Sequence, residues 1–243
     1  MDSRHIYLPP PEQPPALLHQ DDSLLVVNKP AGLLSVPGRG EDKQDCLLSR
    51  LRCDFPDVLV VHRLDMATSG LMVFARSIEI QRALSRAFAE RKVKKHYLAV
   101  VSGCVPEHGE IDLPIMADWP NRPRHKVDAE LGKPSLTRFH TRLYESESDR
   151  SHVDLEPITG RTHQLRVHLR AIGHPIIGDT LYQGPAADRL YLHASRLAFR
   201  HPVTGNTLDF INAAPFSAAK GYATSADSSA VHYPITESHH EKA

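Results

Sequence analysis

The chain has 243 residues, 41% hydrophobic and 24% charged, enough apolar material for a substantial core and an ordinary globular charge content. Lysine plus arginine and aspartate plus glutamate both total 29, so the formal net charge is zero, which counts against a protein that coats nucleic acid indiscriminately but leaves room for a local basic face. No apolar run nears the ~20 residues of a membrane helix, no secretory leader is recognisable, and Cys46, Cys53 and Cys104 are an odd set without CxxC spacing, so a cytoplasmic protein with reduced thiols is expected.

Prolines at 9–11 and 14–15 open the chain without hydrophobic periodicity, so residues 1–16 read as a flexible arm, ordered only if it docks. Leu24 to Val27 is a short buried strand, closed by turns at Pro30/Gly32 and Pro37/Gly38. Strands over 58–61 and 71–75 flank a loop that contains Asp65. Ile80, Leu84, Ala87 and Phe88 recur at helical spacing, with Arg82 and Arg86 on the opposite face. His96 to Val101 is a strand that puts Tyr97, Ala99 and Val101 on one side. Further strands are predicted at 135–144, 151–156, 190–199 and 207–211. A helix is predicted over about 161–172, with Leu165, Leu169 and Ile172 toward the core and His163, Arg166 and Arg170 on another face. From Ser217 onward large apolar residues are scarce, and 217–243 reads as a flexible tail. One body, 17–216, remains. Its fold class is α+β, with a mainly antiparallel or mixed central sheet flanked by helices and loops.

Two segments carry chemistry. Val61 to Gly70 (VHRLDMATSG) sets an acid and an arginine in a loop between apolar strands, with Gly70 available for an unusual backbone angle. Taken alone, Arg63 and Asp65 read equally as a surface ion pair. Thr159 to His168 (TGRTHQLRVH) reads as a helix start capped by Thr159 or Thr162 with a solvated basic face. Together they offer one nucleophilic carboxylate and several partners for phosphates or carboxylates. No Walker loop, Rossmann fingerprint or paired-cysteine zinc motif accompanies them, and the 16 histidines form no compact ligand set, so no metal or cofactor is expected.

The run His62 to Leu71 (HRLDMATSGL) resembles the signature of the RluA-type pseudouridine synthases. Val27–Leu34 (VNKPAGLL), Lys94–Tyr97 (KKHY), Lys133–Thr137 (KPSLT), Gly160–Leu169, Gly173–Asp179 and Leu192–Ala194 match the same family in order. Asp118–Pro123 (DWPNRP) is similar to its small members. The resemblance covers about 20–215 and implies the family's catalytic domain over 17–216. Carried over position by position, it makes Asp65 the catalytic carboxylate and Tyr97 the tyrosine that stacks on the target ring and assists proton removal at C5. Arg166 becomes the cation paired with the aspartate, and Arg63 the arginine that helps to flip the nucleotide. His62, Thr68, Arg161, His163 and Gln164 join the expected substrate-binding set. Arg82, Arg86, Arg91, Lys94, Lys95, Arg122, Arg124 and Lys126 are the expected RNA-binding cations.

The implied reaction breaks the N1–C1′ bond of uridine, turns the base and joins it through C5; as an isomerisation it calls for no ATP, metal or redox cofactor. A single carboxylate can attack C1′ or take a proton from C2′, and both routes stay open. The small family members modify uridine 32 of a tRNA anticodon loop and uridine 746 of a 23S rRNA stem-loop, and that dual specificity is expected here, in a monomer with no membrane association. Two rivals differ in class. A non-catalytic RNA-binding module or folding chaperone would have no use for Asp65, Tyr97 and Arg166 together. A carboxylate glycosidase would ordinarily employ two carboxylates, where only one stands in the signature loop.

Overall fold

The structure, a computed structural model, describes residues 7–216 and 231–233. In chain order the elements are β1 (Ala16–Gln20), β2 (Leu24–Lys29), α1 (Leu47–Asp54), β3 (Leu59–Val60), β4 (Ser69–Ala75) and α2 (Ile78–Ala89). There follow β5 (Lys94–Ser102), β6 (His108–Asp112), β7 (Ile115–Ala117), β8 (His125–Val127), β9 (Leu136–Glu145) and β10 (Arg150–Pro157). The series ends with α3 (Gln164–Ala171), β11 (Leu192–Arg200), β12 (Thr207–Ile211) and β13 (Val231–Tyr233). The chain divides into two compact units, residues 1–98 with 187–218 and residues 99–186 with 219–243, so β5 begins in the first and ends in the second.

In the first unit β2 pairs antiparallel with β1 and β4, β4 runs parallel to β11, and β12 pairs antiparallel with β11. The unbroken apolar runs of β2 and β4 follow from burial on both faces. Leu25, Val27, Met72 and Phe74 pack on one side with Leu47 and Leu51 of α1. Leu24, Val26, Leu71 and Val73 pack on the other with Ile80 and Leu84 of α2. Ser77 caps α2 by accepting the Ile80 N–H, and Arg82 and Arg86 stay exposed as the periodicity predicts. In the second unit β9 pairs antiparallel with both β10 and β6, and β13 adds to β6 in parallel. The mixed, strand-rich architecture is the α+β class expected. Among the described residues no helix is long and apolar enough to cross a membrane.

Several elements depart from the prediction. The short helix α1 escapes it because its cap is Cys46, whose sulfur accepts the Ser49 N–H while the Ser49 hydroxyl accepts the Cys46 N–H. The β1 hairpin strand and β6 to β8 are too short for periodicity to register. Helix α3 starts at Gln164, later than 161, and neither Thr159 nor Thr162 caps it: His163 holds that position in the left-handed region at φ 56°, with no side-chain cap bond. Its basic face is solvated only in part, since Arg166 is buried while Arg170 is exposed. Of the expected arm, the described part from Tyr7 onward is docked. The Tyr7 hydroxyl donates to the Asp45 carbonyl and accepts the Leu34 N–H, and Arg50 donates to the carbonyls of Pro10 and Pro11. Of the expected tail over 217–243 only β13 falls among the described residues; the rest, like residues 1–6 of the arm, lies outside them.

Candidate active site

The signature loop of the first unit is fastened on both sides of Asp65. Its entry is set by His62, whose Nε2 accepts the Val73 N–H of β4 at 3.1 Å, the next position after the β3–β4 pairs 59–75 and 60–74. The imidazole stacks on Phe88 of α2 with ring centroids 4.5 Å apart. Burial, with the Lys95 charge adding, pushes its pKa down to about 3, so His62 is a neutral acceptor. Ser35 then grips Leu64 twice, its hydroxyl donating to the carbonyl at 2.7 Å and accepting the N–H at 3.2 Å. Beyond Asp65, the Met66 carbonyl accepts from Lys29 Nζ at 3.0 Å and from the Gly32 N–H at 2.9 Å. The Thr68 N–H closes the turn on the Asp65 carbonyl at 3.1 Å. Asp65, half-buried, therefore stands on a stretch of backbone that its neighbours cannot leave without losing buried hydrogen bonds.

Lys29 has no exposed surface and donates also to the carbonyls of Pro30 and Leu33, at 2.8 and 2.7 Å. Burial pulls its pKa down to about 7; the Asp65 charge opposes that shift and the Arg189 charge adds to it. The sequence reading gave Lys29 no role, although the residue lies in a quoted segment. Tyr97, on β5, packs against the cluster that contains Leu64 and Met72. Burial first, then the negative charge of Asp65, raises its pKa above the usual phenol range, so it stays protonated at neutral pH. Arg63 is exposed and Thr68 buried, the latter ending the loop. Arg82, Arg86, Arg91 and Lys94 are exposed and Lys95 is half-buried.

The remaining predicted residues lie in the second unit. Within the second unit Arg166 is gripped by Asp179, which accepts Nε at 2.8 Å and Nη2 at 2.7 Å. Asp179 is itself set by the N–H groups of Leu181 and Tyr182, and the Arg166 guanidinium lies 5.0 Å from the Tyr182 ring centroid. The Tyr182 hydroxyl accepts the His125 N–H at 2.8 Å and lies 2.7 Å from His163 Nδ1. Gln164 is spent on the fold. Its amide nitrogen donates to Leu136 O and Thr137 Oγ1, and its oxygen accepts from the Thr159 hydroxyl and the Arg161 N–H. Arg161 is exposed and reaches the Pro134 carbonyl. Arg122 is exposed and stacks on Trp119 at 3.4 Å, Arg124 donates to Leu181 O, and Lys126 meets Asp128 at 3.2 Å. Asp179 lies in a segment quoted for the family; Tyr182 offered no sequence signal at all.

A family profile described as RNA pseudouridylate synthase matches residues 23–171. The chain is 49% identical over 215 residues to the dual-specificity RNA pseudouridine synthase RluA of Escherichia coli K12, covering 86% of this chain and 98% of that protein. It is 51% identical over 204 residues to the protein of the same description from Vibrio parahaemolyticus, covering 81% and 82%. Among solved structures, human RNA pseudouridylate synthase domain containing 1 superposes with TM-score 0.69 at 32% identity, covering 85% of this chain and 87% of that one. Human RNA pseudouridylate synthase domain containing 4 does so with TM-score 0.66 at 26% identity, covering 83% and 89%.

Proposed function

Because the chain belongs to the RNA pseudouridylate synthase family and is an isomerase that converts uridine in RNA to pseudouridine, we propose that Asp65 is the carboxylate that detaches and rejoins the base. The observation that carries this is the fastening of the loop on either side of Asp65, at Leu64 by Ser35 and at Met66 by Lys29 and Gly32. A nucleophile pre-set in this way has already met the entropic cost of finding its attacking position.

Tyr97 offers its ring face to the freed uracil, which must be held while it turns. Its raised pKa makes it a hydrogen-bonding phenol during proton removal from C5, not a standing phenolate. Arg166 serves as the cation of the reaction, its fork kept rigid by Asp179. Arg63, exposed beside the nucleophile, occupies the space vacated when the nucleotide is extruded; unpairing a loop base costs about a few kcal/mol, less than opening a stem. Thr68, Arg161 and His163 contact the substrate, whereas His62 and Gln164 act by positioning the two segments. The exposed cations of 82–95 and 122–126 hold phosphates. The substrates are the tRNA anticodon loop at uridine 32 and the 23S rRNA stem-loop at uridine 746, a reading supported by the dual-specificity relatives. The protein works in the cytoplasm as a monomer.

Asp65→Asn keeps shape and removes the nucleophile. Pseudouridine formation in a stem-loop RNA is expected to fall by at least about a thousand-fold while RNA affinity stays within about two-fold. Full activity in that variant would return the chain to the class of RNA-binding modules. Mapping pseudouridine in cells lacking the protein tests the targets: persistence at both positions would remove the substrate claim.

A further inference from the structure

Resting on the reading above, we propose that Arg189 is a further substrate contact of the first unit. It receives a backbone phosphate of the RNA, with Ser69, His193 and Asn212 as the positioning residues that aim it. Ser69 opens β4, four residues after Asp65, and sits opposite His193 in the parallel β4–β11 pairing. Its buried hydroxyl lies 2.7 Å from His193 Nδ1, and His193 Nε2 lies 3.0 Å from Asn212 Oδ1. A carbonyl oxygen only accepts, so Nε2 carries the proton, Nδ1 is the acceptor, and the Ser69 O–H must donate to it. The lone pairs of Ser69 are thereby directed to Arg189, whose Nη2 donates to them at 2.5 Å. Every hydrogen in the chain has a fixed direction. His193 is kept neutral within it, burial before anything else holding its pKa at about 4.

The guanidinium at the end of this chain is held by neutral groups. Among the described residues it reaches, besides Ser69, only the Leu190 carbonyl, at 3.4 Å, and it lies 5.4 Å from the centroid of Phe216, which is itself stacked on Tyr191. Among the described residues no carboxylate stands within ion-pair distance of it. A half-buried arginine that makes no ion pair among the described residues, and feels the Asp188 charge only at longer range, bears a desolvation cost that stability alone does not explain. Its charge registers at Lys29, as that of Asp65 does, so it belongs to the electrostatic surroundings of the nucleophile. The planar fork matches a phosphate better than any other RNA group. The superficially hydrolase-like order of Ser69, His193 and Asn212 is not a nucleophilic relay, because the serine oxygen is buried and engaged by the Arg189 donor.

The test is the salt dependence of stem-loop RNA binding by Arg189→Gln. Affinity is expected to weaken about ten-fold, and the slope of log Kd against log salt to fall by about 0.7 to 0.9, the signature of one lost phosphate contact. A purely structural role would leave the slope where it was, and an unchanged slope in folded R189Q overturns the proposal. RNAs with a single neutral methylphosphonate linkage near the target uridine locate the contact: one linkage should weaken wild-type binding yet cost R189Q nothing further. Should R189Q not fold, Arg189→Lys, which loses the fork, takes its place. The linkage-specific loss must then shrink, and equal losses in R189K and wild type overturn the proposal as well. Pseudouridine formation by the wild-type protein is scored separately; its absence would strike the enzymatic reading while leaving the binding result to judge Arg189.

Discussion

Lys29 ties the catalytic loop to β2 with an ammonium group that has no exposed surface. Lysines are almost never fully buried without partners, and here three carbonyls take the place of water. Lys29→Met withdraws one of the two donors that hold the Met66 carbonyl, so the loop loosens at the residue next to Asp65. We expect kcat to fall about ten-fold with KM within about two-fold, because what is lost is the aim of the carboxylate and not substrate contact. The same lysine leaves a pH signature. Its folded pKa, about 7, lies below the ordinary value of 10.5, so between those limits the unfolded chain binds the extra proton and stability rises with pH. Denaturant titrations should show the wild-type protein gaining about 1.4 kcal/mol per pH unit over K29M between pH 7 and 9; parallel profiles would contradict it. Motif resemblance pointed to Asp65, Tyr97 and Arg166 because they stand at matching positions in contiguous motifs. It gave no role to Lys29 or Arg189, since what distinguishes them is burial and the neutral oxygens that hold them, which no spacing reveals.

The pairing of β4 with β11 is short, two residues, and depends on a glycine. Gly70 has φ +118°, and a Cβ placed there would lie 2.4 Å from the carbonyl oxygen of Ala194 and 2.5 Å from its nitrogen. Both contacts are to backbone, which cannot swing aside. Gly70→Ala must therefore separate the strands or distort them, and a loss of at least about 3 kcal/mol is expected. A urea midpoint within error of wild type would show that the strands can shift. The consequence reaches the site, because the same register sets Ser69 against His193. The need for an unusual backbone angle at Gly70 was legible in the sequence; the strand that presses on it was not, being more than a hundred residues away. At this scale the long apolar strands and α2 were read correctly, since burial on both faces leaves an unbroken apolar run and burial on one face a clear periodicity. Helix α3 was read a turn too long and too wet. The left-handed His163 that precedes it meets Tyr182, and its buried Arg166 meets Tyr182 and Asp179, contacts remote in sequence.

Taken as a whole, the molecule hides part of its histidine complement in the neutral form. His62 and His193 in the first unit and His168 in the second have pKa values of about 3, 4 and 4, in each case lowered first by burial. His168 bridges the Thr137 hydroxyl and the Leu113 carbonyl, an arrangement that needs one protonated and one bare nitrogen. Folded pKa values below 6.5 mean that the unfolded chain takes up protons first, so stability is full above about pH 6.5 and is lost as pH falls toward 4. Hydrogen exchange or near-UV circular dichroism across that range should show both units weakening, well before most carboxylates titrate; a flat profile down to pH 4.5 would contradict it. The sequence by itself determined the reaction class and the α+β pattern and singled out Asp65 as the candidate carboxylate, because functional groups and buried strands are constrained by local chemistry and leave contiguous motifs. Only the tertiary structure decided that Asp179 grips Arg166 within the second unit, that Lys29 braces the loop and that Arg189 makes no ion pair among the described residues. Those outcomes depend on desolvation and hydrogen-bond direction between residues far apart in the chain, and a linear order of side chains does not contain them.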